Sequence, residues 1–309
     1  MGRLIAKRIG IGVLVLWGAV TLMFLLVRVA PGDPATVLVG ATATHEQLAA
    51  VRQSMGLNDP LFVQYWHYLG DAARLDFGDS TTLSQPAMTA VLHETAATLQ
   101  LILAATVLAL VVGLPLGAYA GQRPGRFRDR LISAATLGLQ AIPNFWVGIM
   151  FILLFAGTWG LLPSSGAGGI DHLVLPAVSL AMPFTAIVAR LTRSAVAAST
   201  AEAYVRTARS KGIPERRVLF GHILGNSLLP VVTVVGLQIG ALIGGDVVVE
   251  NVYSWPGIGS LLVTAVNNRD YNVVQAAALL IAGIVVVLNL CVDLLYLRLD
   301  PRIRTGGRA

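Results

Sequence analysis

Five histidines (His45, His67, His93, His172 and His222) and one cysteine, Cys291, are the side chains of this 309-residue chain best suited to metal binding or nucleophilic attack. No two of the histidines share ligand spacing on one helix, and neither H-E-x-x-H nor C-x-x-C occurs. A phosphate-cradling G-x-x-x-x-G-K-[ST] loop is also absent, so the chain has no means of holding ATP in that way. This pattern predicts no catalytic residue, no metal site and no cofactor in the chain itself. The residues that stand out are basic instead. From Tyr204 to Pro230 the chain reads YVRTARSKGIPERRVLFGHILGNSLLP. Tyr204 to Lys211 suit a helix. Gly212 stops it, because glycine tolerates the left-handed cap. Pro214 fits the first turn of a second helix, and Glu215 suits its positive dipole end. Helix, sharp break and helix make a rigid projection that a soluble partner could grip.

The elements that must hold this projection are membrane spans. The chain is 55% apolar and 12% charged, against about 25% charged for a soluble domain. Six runs reach the length a bilayer crossing needs: 9–30, 98–120, 131–159, 173–196, 228–249 and 273–297. The third is overlong and is expected to kink at Pro143, and the fourth carries Pro176 and Pro183. The first run is too long for the apolar part of a signal peptide and reads as an anchored span. Of the 22 basic residues, 18 fall before span one, in the second connection, from Arg190 near the inner end of span four to Arg217, and in the tail 298–309. The positive-inside rule then places both termini in the cytoplasm. The pI of about 9.9 reports that asymmetry and not nucleic-acid binding, since no base-stacking or groove-reading pattern accompanies the basic loops.

Between spans one and two, residues 31–97 form a hydrophilic block, expected outside the cytoplasm as a small helical region. The turn Pro31–Pro34 opens it, Thr44 and Gln47 have capping-box spacing, and Tyr65, Trp66 and Tyr68 suit the membrane–water interface. A last amphipathic piece is expected from about Ser84 to His93. In span five, Gly236, Gly240 and Gly244 recur every fourth residue as a ridge for close helix packing. Gln238 and Asp246 lie on the opposite edge and, with Gln140 and Asn144, are candidates to line a translocation path.

Several stretches together resemble the membrane subunits of ATP-binding-cassette importers of the dipeptide, oligopeptide, nickel and glutathione type. They are FLLVRVAPGDP (24–34), MGLNDPLFVQYWHYLGDAARLDFGDS (55–80), PNFW (143–146), YVRTARSKG (204–212), HILGNSLLP (222–230), VVENVYSWPGIG (248–259), RDY (269–271) and LDPRIR (299–304). The resemblance covers nearly the whole chain. It implies an all-α integral membrane protein of the type I importer permease fold, a single permease domain over 1–309 with a five-span core at 98–297. It also implies a multi-pass subunit of the bacterial cytoplasmic membrane. Arg206, Thr207 and Ala208 occupy the E-A-A positions of the permease signature, and Gly212 its glycine. By resemblance, Arg206 to Gly212, with Arg209 and Lys211 among them, form the segment that sits in a cleft of the ATPase. The implied partners are a homologous second permease, two ATPase domains that bind ATP and magnesium, and an extracytoplasmic substrate-binding protein.

For the substrate, the spans offer no histidine and one isolated thiol, whereas a bare transition metal prefers imidazole or thiolate. Scattered amides such as Gln140, Asn144 and Gln238 suit a short peptide, which carries its own polar groups. Nickel, bare or chelated, and glutathione are the alternatives within transport, and the short outer loop 160–172 resembles those branches. A passive channel or scaffold is the alternative from another class. The helix–glycine–helix projection argues against it.

Overall fold

The computed structural model describes residues 2–29, 34–39, 44–54, 56–245 and 247–299. The turn residues Pro31 to Asp33, the candidate path residue Asp246 and the tail from 300 onward lie outside them. The described residues are all-helical, apart from a single bridge between Asp79 and Pro86. By length and composition four helices are able to cross a membrane: α1 (Gly2–Val29), α5 (Ala87–Gly121), α8 (Ile170–Thr200) and α14 (Tyr271–Leu299). A fifth candidate is a bent pair, α6 (Phe127–Ala141) and α7 (Asn144–Phe151). The sixth expected span falls on α11 (Leu224–Gly245), whose uninterrupted apolar part, Pro230–Gly244, is short for a crossing.

One expectation changes. The amphipathic piece from Ser84 to His93 is not a separate helix. It is the first turns of α5, because nothing between Ala87 and Pro115 breaks the helix, and Pro115 sits inside it. His93 lies in the first turns of α5, exposed beside Glu94. The predicted kink in span three is a 93° bend. Ile142 sits in the extended region at φ −86°, ψ 127°, where the ring of a following proline drives its predecessor. Beyond the bend, α7 continues as a π-helical stretch, Ile152–Thr158.

The chain divides into two units, one of Ala97–Pro256 with the chain from Leu288, the other of Gly2–Ala96 with Gly257–Val287. In the first, lipid tails are as apolar as leucine, so close approach and hydrogen bonds, more than burial, hold helices together. Gly113, Gly117 and Gly121 supply that approach. A Cβ on Gly113 would meet Val188, one on Gly117 would strike the carbonyl oxygen of Ala189, and one on Gly121 would meet the Arg193 carbonyl at 2.5 Å. Partner numbers rise together along both helices, so α5 and α8 run parallel. Polar ties reinforce the arrangement. Buried Glu250, on α12 (Val247–Val252), accepts from Thr98 at 2.6 Å, and buried Tyr253 bonds Ser179 at 2.8 Å and donates to the Gly148 carbonyl at 3.2 Å.

The second unit centres on Val20, Phe77, Val91, Ile258 and Val273. Thr44 and Gln47 form the expected reciprocal cap of α3 (His45–Ser54), with bonds of 3.0 and 3.3 Å. In α4 (Leu61–Ala73), Tyr65 bonds Thr21 at 2.7 Å and its ring meets Phe24 edge-on. Two of the three expected interfacial aromatics are thus fastened to α1, while Trp66 stays exposed. Burial pushes the Tyr68 phenol up to about 12, against the opposing charge of Arg28. Buried Asp270, just ahead of α14, accepts from Ser80 at 2.5 Å and from Thr82 Oγ1 at 3.0 Å. It ties the loop before α5 to the start of the last helix.

Candidate functional site: a basic elbow after α8

The elbow is built by local rules. Helix α9 (Ala203–Ser210) starts after Glu202, whose backbone carbonyl accepts from Val205 and Arg206. It ends in a Schellman closure. Gly212 donates to the Arg209 carbonyl at 2.9 Å, and Ile213 donates to the Ala208 carbonyl at 3.3 Å. Gly212 sits at φ +75°, a conformation glycine adopts at no steric cost. Pro214 then stands one position ahead of the expected one, as the residue before α10 (Glu215–Val218) rather than in its first turn. Its missing N–H is no loss there, because the first helical N–H groups have no intrahelical acceptor.

Across the break Arg209 donates twice to Glu215, at 2.8 and 3.2 Å. Both side chains are exposed, so the pair stabilises the fold by at most about 1 kcal/mol. Its effect is geometric: two bonds between residues on opposite sides of Gly212 hold the angle between α9 and α10.

The elbow has two faces. Val205 and Ala208 are buried with Val218, Ile223, Val196 and Ala118, and Ile213 packs beside them. Arg206, Thr207, Arg209, Ser210, Lys211 and Gly212 point outward. Of the residues expected to form the coupling segment, Ala208 therefore turns inward as the anchor, and the others make up the free face. α10 runs through a π-helical turn, Leu219–Ile223, into α11.

The base of this assembly is fastened by an ion pair that sequence reasoning missed. Asp129, at the start of α6, is buried and takes two bonds from Arg193 of α8, 2.8 Å from Nε and 2.7 Å from Nη2. The Gly125 N–H donates to it as well, at 2.7 Å. Breaking a buried pair leaves one charge without its partner, which costs about 3–5 kcal/mol. Arg193 keeps some solvent contact, so the lower end applies. We expect Asp129→Ala to lower the melting temperature of the purified protein by about 5 °C or more, measured by thermal size-exclusion chromatography in detergent. The double variant Asp129→Leu/Arg193→Met should recover most of that loss. A double variant as unstable as the single one would show that the charges themselves are not the issue.

The candidate path residues are not gathered into one cluster. Gln140 accepts from Arg190 at 2.6 Å, so its amide oxygen is already engaged. Asn144 opens α7 just past the bend, and Gln238 is half-buried on α11. Among the described residues no hydrogen bond joins the three. Of the glycine ridge on α11, Gly236 makes the tight approach, where a Cβ would collide with Val292 of α14, while Gly244 borders open space. A four-residue repeat drifts by about 40° per step on a helix of 3.6 residues per turn, so the stripe winds away from a partner that does not follow it.

Residues 113–305 match the family described as binding-protein-dependent transport system inner membrane component, and residues 1–112 match its N-terminal companion. A probable peptide ABC transporter permease protein, y4tP of Sinorhizobium fredii, is 38% identical over 98% of this chain and 100% of its own length. The glutathione transport system permease protein GsiC of Escherichia coli K12 is 40% identical over 92% of each chain. The inward-facing MetNI methionine ABC transporter superposes with a TM-score of 0.61, covering 71% of this chain and 100% of the solved one at 19% identity. That likeness carries the fold.

Proposed function

The chain belongs to the binding-protein-dependent transport system inner membrane component family, and from that membership we propose that it is the permease subunit of an ATP-driven importer of short peptides. It is an all-helical ABC importer permease with the type I fold, a multi-pass protein of the bacterial inner membrane. The observation that carries the coupling mechanism is the elbow at Gly212. A helix ended by a Schellman closure, braced by Arg209–Glu215 and anchored through Val205 and Ala208, presents Arg206, Thr207, Arg209, Ser210 and Lys211 on a rigid mount. An ATPase domain gripping that face would move α8 and α11 along with it.

In this reading the chain is one permease domain with six spans and both termini in the cytoplasm, and residues 31–97 lie outside. The parallel course of α5 and α8 supports it, because two parallel spans need a return crossing between them, and the bent α6–α7 pair is the chain available. α11 supplies the remaining crossing. A second permease completes the passage, two ATPase domains bind ATP and magnesium, and a binding protein delivers substrate. Gln140, Asn144, Gln238 and Asp246 contribute polar groups to the path, and Gly236 and Gly240 let α11 approach its neighbour.

The choice of short peptides rests on the lack, among the described residues, of any cluster of metal-ligating side chains and on the relative named for peptide transport. The relative named for glutathione makes that peptide-like molecule the second reading, and nickel the third. Deleting the gene and following uptake of labelled di- to pentapeptides, glutathione and trace radioactive nickel separates them. We expect peptide uptake to fall well below that of the parent strain, with glutathione and nickel uptake unchanged. Loss of glutathione uptake alone would replace the substrate, and loss of nickel uptake with every peptide unaffected would overturn the peptide reading.

A further inference from the structure

Two cavities adjoin at the inner end of α5. The first, about 730 Å³, is lined by Arg123, Arg126, Arg128, Asp129, Arg209 and Glu215. The second, about 820 Å³, is apolar, with Leu114, Leu116, Leu219, Phe220 and Leu228 on its walls. Tyr119 and Gln122 border both.

The charge balance of the first cavity is uneven. Asp129 is consumed by Arg193, and Glu215 by Arg209. Among the described residues no carboxylate pairs with Arg123, Arg126 or Arg128, and Arg128 lies 5.1 Å above the Tyr119 ring. Three exposed guanidinium groups without a carboxylate are available to an anion, and their planar forks suit phosphate oxygens. A free phosphate or an acidic side chain of another subunit would satisfy the arginines but leave the apolar groove unused. One molecule that uses both has an anionic phosphate head and a hydrocarbon tail. Phe220, 62% exposed on the groove, and Tyr119 at the boundary complete a surface that is polar at one end and oily at the other.

We propose that this double cavity binds an anionic phospholipid, with its phosphate among Arg123, Arg126 and Arg128 and an acyl chain along Leu116, Phe220 and Leu228. Arg209 and Glu215 form part of the headgroup cavity, so an occupied site holds the elbow at the bridge that sets its coupling angle. The proposal uses the function above only to set these arginines at the cytoplasmic leaflet. Lipid retention in detergent is independent of which substrate is carried.

The test is native mass spectrometry of the transporter assembled with its co-purifying subunits, offered phosphatidylglycerol or phosphatidylcholine in equal amounts. Phosphatidylglycerol should be retained and phosphatidylcholine lost. The triple variant R123Q/R126Q/R128Q should bind phosphatidylglycerol on the order of a hundred-fold more weakly. Phe220→Ser should weaken it without touching a charge. Equal retention of the two lipids, or unchanged retention by the triple variant, overturns the proposal. Displacement of the lipid by millimolar inorganic phosphate would assign the basic cavity to a soluble anion and overturn it too. Should the triple variant shed its partner subunits, Phe220→Ser decides: unchanged retention there defeats the lipid site.

Discussion

Gly212→Val should all but abolish transport, by ten-fold or more, while leaving the protein folded in the membrane. Gly212 sits at φ +75°, and a Cβ added there meets no heavy atom within 4 Å. Sterics with neighbours are therefore not at issue, and the whole effect comes through the backbone. A β-branched residue in the left-handed region costs on the order of 1–3 kcal/mol. The chain can relieve that only by opening the Schellman closure, which swings α9 away from α10 and breaks the Arg209–Glu215 bridge. Gly212→Asn is the discriminating companion, because asparagine visits the left-handed region readily. Substrate-stimulated ATP hydrolysis and uptake by the assembled complex should collapse for valine and stay within a few-fold of wild type for asparagine. Equal activity of both variants would remove Gly212 from the coupling mechanism.

Gly117→Leu should prevent accumulation of the folded protein altogether. Helix propensity alone predicts the opposite sign, since leucine is favoured over glycine in a helix interior by somewhat less than about 1 kcal/mol. Contact overrides it. The first added carbon would collide with the carbonyl oxygen of Ala189 and lie 3.0 Å from the Arg193 nitrogen, and neither backbone atom has a rotamer to retreat into. Overpacking of this kind costs about 1–3 kcal/mol when side chains are able to yield, and more where the obstacle is main chain. Forcing α5 away from α8 also displaces Arg193, whose side chain pairs with Asp129 of α6. Gly138→Leu on α6 is the control, because nothing lies within 4 Å of its Cβ position. Membrane-fraction yield and monodispersity on size-exclusion chromatography should be lost for Gly117→Leu and retained for Gly138→Leu. Normal yield of the first variant would mean that the α5–α8 approach is looser than described.

The local features were legible in the sequence because their causes lie within a few residues. Glycine after a basic helix predicts a break, and Gly212 has the positive φ that a break needs. Thr44 and Gln47 cap each other because three residues separate them. Pro143 bends the chain because its ring restricts Ile142 alone. Membrane residence follows from composition, which needs no geometry.

What the tertiary structure decided are choices among locally equivalent options. Two glycine stripes with the same four-residue spacing exist. The one on α5 is used along its whole length, and the one on α11 closely at Gly236. Nothing within either helix distinguishes them; the path of the partner helix does. Ala208 looks like a surface alanine in a basic segment, yet it is the inward anchor of the elbow, because Val218 and Ile223 return to cover it. Asp129 and Arg193 are 64 residues apart, and Arg123, Arg126 and Arg128 read as ordinary membrane-flanking charges until an apolar groove is found beside them. Sequence spacing reports which groups share a turn of helix. Only the packing of helices distant in the chain decides which charges are spent on each other and which remain to bind something else.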